Sequence, residues 1–172
     1  MPEPDRYPYF KFSEAVRHTS GVTAVAEGFF SRDAAIHVVH PFNDCLGCDA
    51  YVTGVLEPIS RSFDSLHRRD AIVMAGTFAG DSWISATGYY AGHFARFGDA
   101  AYAYSGGWPS VTGVNVKRFL EQPVSNERVF MRVCDWWRRE GDLLVENWVF
   151  VDVPHVLKQL GNDLFATMEI AA

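Results

Sequence analysis

The stretch Cys134–Asp152, CDWWRREGDLLVENWVFVD, decides the fold. Runs rich in Val, Trp and Phe flank the turn-type cluster Glu140-Gly141-Asp142, so the segment reads as a β-hairpin with strands over 128–138 and 143–151. Alternate side chains of a strand point one way. Glu146, Trp148, Phe150 and Asp152 therefore share a face, and Val145, Asn147, Val149 and Val151 share the other. In the first strand Asp135 goes with Trp137, opposed to Cys134 and Trp136. One face of the hairpin is thus expected to carry Glu146, Asp152 and Asp135 framed by Trp148, Trp137 and Phe150. Carboxylates set among rings are costly in a plain core and ordinary in a binding pocket.

Outward from the hairpin, the tail 154–168 is helical, with Gly161 interrupting it. Toward the N-terminus come three strands, predicted over 71–77, 83–94 and 114–119. Gly80-Asp81 joins the first two as a second hairpin. The Gly- and Tyr-rich stretch 95–113 reads as a long loop at a pocket mouth. Val52, Val55, Leu56, Ile59 and Phe63 recur at helical intervals, predicting a helix over 50–66 that Asp49 caps and Pro58 kinks or splits. A short strand over 36–42 precedes it, and 13–31 reads as two short helices broken near Ser20-Gly21. Residues 1–12 form an extended lead-in. Helices, then long antiparallel strands, then a closing helix make an α+β domain spanning 1–172, a curved sheet wrapped around helices as a cone.

Composition sets the outer bounds. Of 172 residues, 48% are apolar and 15% aromatic, enough for a sizeable core with aromatic walls. A net charge of −6 without a basic tract argues against nucleic acid or an anionic membrane as partner. No signal-peptide pattern opens the chain and no apolar run approaches a membrane span, so a cytoplasmic protein is expected. Cys45 and Cys48 form a C-x-x-C, but Cys134 supplies no second ligand pair for zinc, and the pair reads as two buried thiols.

A set of residues along 30–161 resembles the nuclear transport factor two-like superfamily, and within it the SnoaL-like polyketide cyclase branch. It comprises His40-Pro41-Phe42-Asn43, Gly47 before a helix, Arg69, Trp83 through Thr87-Gly88-Tyr89-Tyr90 to Phe94, and Thr112-Gly113. The most specific part is Glu146-x-Trp148-x-x-x-Asp152 followed by Leu157 and Gln159-Leu160-Gly161. The resemblance implies one SnoaL-like domain with the cystatin-like α+β barrel: a cone-shaped curved antiparallel sheet around N-terminal helices. It further implies a homodimer, a deep apolar pocket for a small hydrophobic substrate, and acid/base chemistry with neither metal nor organic cofactor. The link 117–128 is longer than that pattern has, and the loop before Thr112 richer in Tyr and Gly, so the substrate is not carried over.

Asp152 matches the position of the cyclases' acid/base aspartate. Its residue-level reading is double: a carboxyl whose pKa Trp148 and Phe150 raise, or the N-cap of the last helix, two residues before Pro154. Glu146 is the second candidate base, and His40 the candidate proton shuttle. Asn43 is expected to hold an oxyanion or simply to build a turn. Asp135 is read as a substrate contact or the partner of an arginine such as Arg132, Arg138 or Arg118. Trp137 and Trp148 are expected walls, and Tyr89 and His93 ligand contacts from the row Trp83, Ser85, Thr87. Two readings follow: a metal-independent cyclase, isomerase, dehydratase or retro-aldol lyase acting on an aromatic or polycyclic substrate, or a non-catalytic binding or dimerisation module. A metal-dependent hydrolase or oxygenase lacks a ligand set.

Overall fold

A computed structural model describes residues 22–68, 72–78, 81–87, 95–97, 100–102 and 111–166, with the stretches between 69 and 110 given by backbone alone. The first described element, α1 (Val22–Phe29), passes directly into β1 (Phe30–Val38). Predicted helix gives way to strand at Phe30 because β1 buries Phe30, Ala34, Ile36 and Val38 on one side and finds a partner strand. Pairing overrides local helical spacing here. β2 (Asp44–Leu46) returns antiparallel to β1, Ile36 facing Cys45.

From Cys48 to Ser62 the backbone is helical throughout, but in three pieces: α2 (Cys48–Tyr51), a wide π segment (Val52–Leu56) and α3 (Glu57–Ser62). Pro58 sits in the first turn of α3, where its missing N–H is tolerated, and the widened turn lies just ahead of it. The helix stops at Ser62 and not at 66, because Phe63 opens β3 (Phe63–Arg68). β4 (Ile72–Phe78) and β5 (Asp81–Thr87) form the expected hairpin. The predicted loop 95–113 contains a small hairpin, β6 (Ala95–Phe97) and β7 (Ala100–Tyr102), before β8 (Val111–Asn115).

The predicted strand over 128–138 is two strands in two sheets, β9 (Arg128–Met131) and β10 (Val133–Glu140), parted at Arg132. β11 (Leu143–Val151) and the short α4 (Val153–Gln159) complete the described chain. The larger sheet runs β2-β1-β11-β10-β5-β4, with β1 parallel to β11 and the other pairs antiparallel. A smaller sheet runs β3-β8-β9. One core lies between the helices and the larger sheet, joining Ala26, Tyr51, Val52 and Val55 to Ile36, Trp137, Leu144 and Val149. The other joins Phe63, Phe119, Val129 and Met131 of the smaller sheet region to Val156 and Leu160. The fold is the expected α+β arrangement of curved, mainly antiparallel sheet against few helices.

Candidate functional site

The site is set by how β10 and β11 lie against each other. At the turn end Glu140 faces Leu143 and Arg139 faces Leu144; from Arg138 onward the register moves by one, so that Arg138 faces Glu146, Trp137 faces Asn147 and Asp135 faces Val149. Val145 is the extra residue of a β-bulge. The bulge corrects the expected face. Asp135 and Trp137 do not share a side with Glu146 and Trp148; they join Asn147 and Val149 on the concave side, while Glu146, Trp148 and Phe150 turn outward with Trp136 and Arg138. Register places Trp83, Ser85 and Thr87 opposite Arg138, Trp136 and Cys134. Tyr89 and His93, like Arg69, lie outside the described residues.

On the concave side, Asp135 and Trp137 are each 2% exposed and Asn147 1%. Arg68, the last residue of β3, reaches Asp135 with an Nη2–Oδ2 distance of 2.6 Å. Its guanidinium carbon stands 5.7 Å from the centre of the Trp137 ring, close enough for a cation–π contribution. Asn147 donates from Nδ2 to the Trp136 carbonyl at 3.1 Å and to Asp135 Oδ1 at 3.4 Å. Tyr51, on α2, is buried, and burial together with the Asp135 charge pushes its phenol well above the usual range, so it remains a neutral O–H donor. A carboxylate, a guanidinium, an amide, a phenol and an indole thus converge inside an otherwise apolar core, the kind of polar cluster that must either be structural or functional.

On the outer side the groups form a different network. Glu146 accepts from Arg138 Nε at 2.8 Å and from Trp148 Nε1 at 3.2 Å. The Arg138 hydrogen bond, with the charges of Arg138 and His37, holds the Glu146 carboxyl below its usual value despite partial burial. The arginine thus outweighs the desolvation that burial imposes on Glu146. His37 stacks on Trp148 with ring centres 4.2 Å apart and places Nδ1 3.1 Å from Asp44 Oδ1. Trp136 faces Trp148 in register, and with Phe150 they are 41–48% exposed, forming an apolar surface on the sheet.

Asp152 lies at the far end of β11. Oδ1 accepts from the His155 amide at 3.0 Å as the N-cap of α4, and Oδ2 is 3.1 Å from Arg132 Nη1. Both of its oxygens are occupied. His40 is exposed in the turn after β1 and not at a strand end, since β1 stops at Val38. Asn43 builds that turn: it has φ +58° and its Nδ2 donates to the Pro41 carbonyl at 3.1 Å. The candidates of the sequence therefore separate into four places: Asp135 and Trp137 inside, Glu146 and Trp148 outside, Asp152 at the α4 cap, His40 and Asn43 in an exposed turn.

Arg68, Tyr51 and Asn147 complete the inner cluster and were not singled out by sequence. Asn147 carried a signal, being the lone amide in the row Val145, Val149, Val151. Arg68 and Tyr51 meet Asp135 only through the tertiary fold. Among the described residues, no group of three His, Cys, Asp or Glu side chains is placed to hold a metal ion, and no helix is long and apolar enough to cross a membrane.

No protein-family model and no curated protein sequence matches the chain. Solved structures do. IdmH of Streptomyces antibioticus, a proposed polyketide cyclase, superposes with TM-score 0.64 at 14% identity, over 93% of this chain and 100% of its own. A proposed SnoaL-like polyketide cyclase of Jannaschia sp. CCS1 gives 0.62 at 12% identity, over 93% and 96%. An NTF2-like protein of Burkholderia thailandensis gives 0.57 at 12%, over 92% and 97%. The chain has the nuclear transport factor two-like fold in the form that SnoaL-like polyketide cyclases take.

Proposed function

We propose that the chain is a cofactor-independent acid/base enzyme for a small, largely apolar substrate, working from the concave side of the sheet. The observation that carries this reading is Asp135, buried on the concave side and contacted by Arg68 and Asn147. The likeness in fold to proposed polyketide cyclases supports it. In this reading Asp135 takes a proton from a carbon beside a carbonyl. The C–H electron pair forms the C=C bond as the carbonyl π pair moves onto oxygen, and the enolate is held by the Tyr51 hydroxyl and the Arg68 charge. The enolate carbon then attacks a second carbonyl to close a ring, or expels a leaving group, and Asp135 returns its proton to the oxygen released. A carboxylate beside a guanidinium is a weak base, so the carbon must be acidified by a second electron-withdrawing group.

Asp152 is the competing base, supported by its motif position. Proton exchange at C1 of 2-tetralone in D2O, followed by NMR, separates the two. Asp135→Asn is expected to lose about 100-fold or more of the catalysed exchange while Asp152→Asn keeps it. Full exchange in Asp135→Asn would refute the assignment. A second reading, a non-catalytic binding module, is favoured by one observation: Asp135, Glu146 and Asp152 each have an arginine partner, Arg68, Arg138 and Arg132. It predicts ligand binding without exchange. In either reading the outer surface of Trp136, Trp148 and Phe150 is proposed as the contact between two copies of the chain.

A further inference from the structure

Two asparagines are fully buried, and only one of them is satisfied. Asn115, 0% exposed, donates from Nδ2 to the carbonyls of Ser62 at 3.2 Å and Lys117 at 2.7 Å. Its Oδ1 accepts from the Ser125 amide at 2.8 Å and the Ser125 hydroxyl at 3.3 Å. Asn147, 1% exposed, also donates twice from Nδ2, yet its buried Oδ1 has no hydrogen-bond partner among the described residues. Turning the amide over does not cure this. The oxygen would then face the Trp136 carbonyl and the Asp135 carboxylate, two acceptors, so the orientation is dictated by its neighbours. A buried acceptor left open is costly, and proteins retain few of them.

We infer that Asn147 Oδ1 is a specificity contact that accepts a hydrogen bond from a hydroxyl on the substrate, so that this site selects ligands bearing a hydroxyl at that point over counterparts that lack it. The inference deepens the proposed function and rests on its concave-side site. The chemistry is one-directional: an amide oxygen accepts and never donates, so it distinguishes a hydroxyl from an ether, a bare C–H or a ketone. The contact sits across the strand pair from the proposed base, since Asn147 touches Asp135 itself. A hydroxyl bound there is held beside the carboxylate that handles the proton. Arg68, at 15% side-chain exposure, is the more open partner of the 2%-exposed Asp135.

The test is binding of 2-naphthol and naphthalene to the whole protein, with dissociation constants from 15N–1H spectra. Wild type is expected to prefer 2-naphthol by about tenfold, the value of one buried hydrogen bond to an otherwise empty acceptor. Asn147→Leu is expected to bind both alike. A second readout needs no variant: the Asn147 side-chain carbonyl carbon moves on addition of 2-naphthol and stays still with naphthalene. Equal affinities in wild type, or a preference that survives in Asn147→Leu, overturn the inference and leave the proposed function standing. A still Asn147 carbonyl under saturating 2-naphthol overturns it too, even if Asn147→Leu does not fold. If neither compound binds, the inference and the proposed site fall together.

Discussion

Replacing Arg68 with Met removes the guanidinium from Asp135 while keeping most of the apolar stem. Asp135 is 2% exposed, its arginine contact is at 2.6 Å, and its hydrogen bond from Asn147 is a long 3.4 Å. Removing one partner of a buried ion pair costs about 3–5 kcal/mol. Side-chain exposure of 15% at Arg68 pulls the figure toward the lower end, and loss of the stack over Trp137 adds about 0.5–1 kcal/mol. In a chain of this length each kcal/mol moves the midpoint by about 2–4 °C, so Arg68→Met should melt about 6–20 °C lower. Urea denaturation and calorimetry measure both quantities. The diagnostic experiment adds Asp135→Asn to Arg68→Met: removing the buried carboxylate charge should restore part of the lost stability, making the double variant firmer than Arg68→Met alone. A loss below about 1 kcal/mol in Arg68→Met, in the range of exposed pairs, would show that the pair is hydrated. The account of the inner cluster would then be wrong.

Glu146 gives a pH prediction. Because Arg138 lowers its folded pKa from the ordinary 4.5, the ionised form stabilises the fold. The stability advantage of wild type over Glu146→Gln should be complete above that ordinary value and vanish as pH falls through the lowered folded value, as read from urea midpoints. Asp152→Ala removes the α4 cap and should cost about 1 kcal/mol in the same assay, whereas Asp152→Asn, which keeps an acceptor, should cost less. Trp148→Glu places a charge on the exposed outer surface and should convert a dimer to monomer in light scattering; an unchanged mass would remove that surface as the contact.

Much of the fold was legible because local pattern and tertiary need agreed. The alternation of β11 and the Glu140–Asp142 turn placed the hairpin, and the valine spacing of 52–59 placed helical backbone there. Errors fell where neighbours overrode spacing. Phe63 fits a helical stripe in sequence, but at 1% exposure it is the centre of the second core and starts a strand. Phe30 likewise ends a helical run only because it pairs with Leu144 across the parallel β1–β11 contact, which no local signal announces.

The site was half legible, and a single residue explains the other half. Parity within β10 and within β11 was readable beyond the turn, but the phase between the two strands depends on whether every residue is paired. Continuing the pairing of Glu140 with Leu143 and Arg139 with Leu144 without interruption sets Trp137 against Glu146 and Asp135 against Trp148, the mixed face the sequence suggested. The unpaired Val145 moves everything beyond it by one position. The consequence is chemical as well as geometric. With the bulge, Glu146 goes outside to Arg138, and Asp135 goes inside to meet Arg68 and Asn147. Without it, Glu146 would lie on the inner side with Asp135, parted from Arg138, and Asn147 would stand in the outer row. The fold thus separates its carboxylates by one inserted residue. It leaves in the core one acid and, beside it, one amide oxygen without a donor among the described residues, and that pairing is what supports the concave side over the motif at Asp152 as the proposed substrate site.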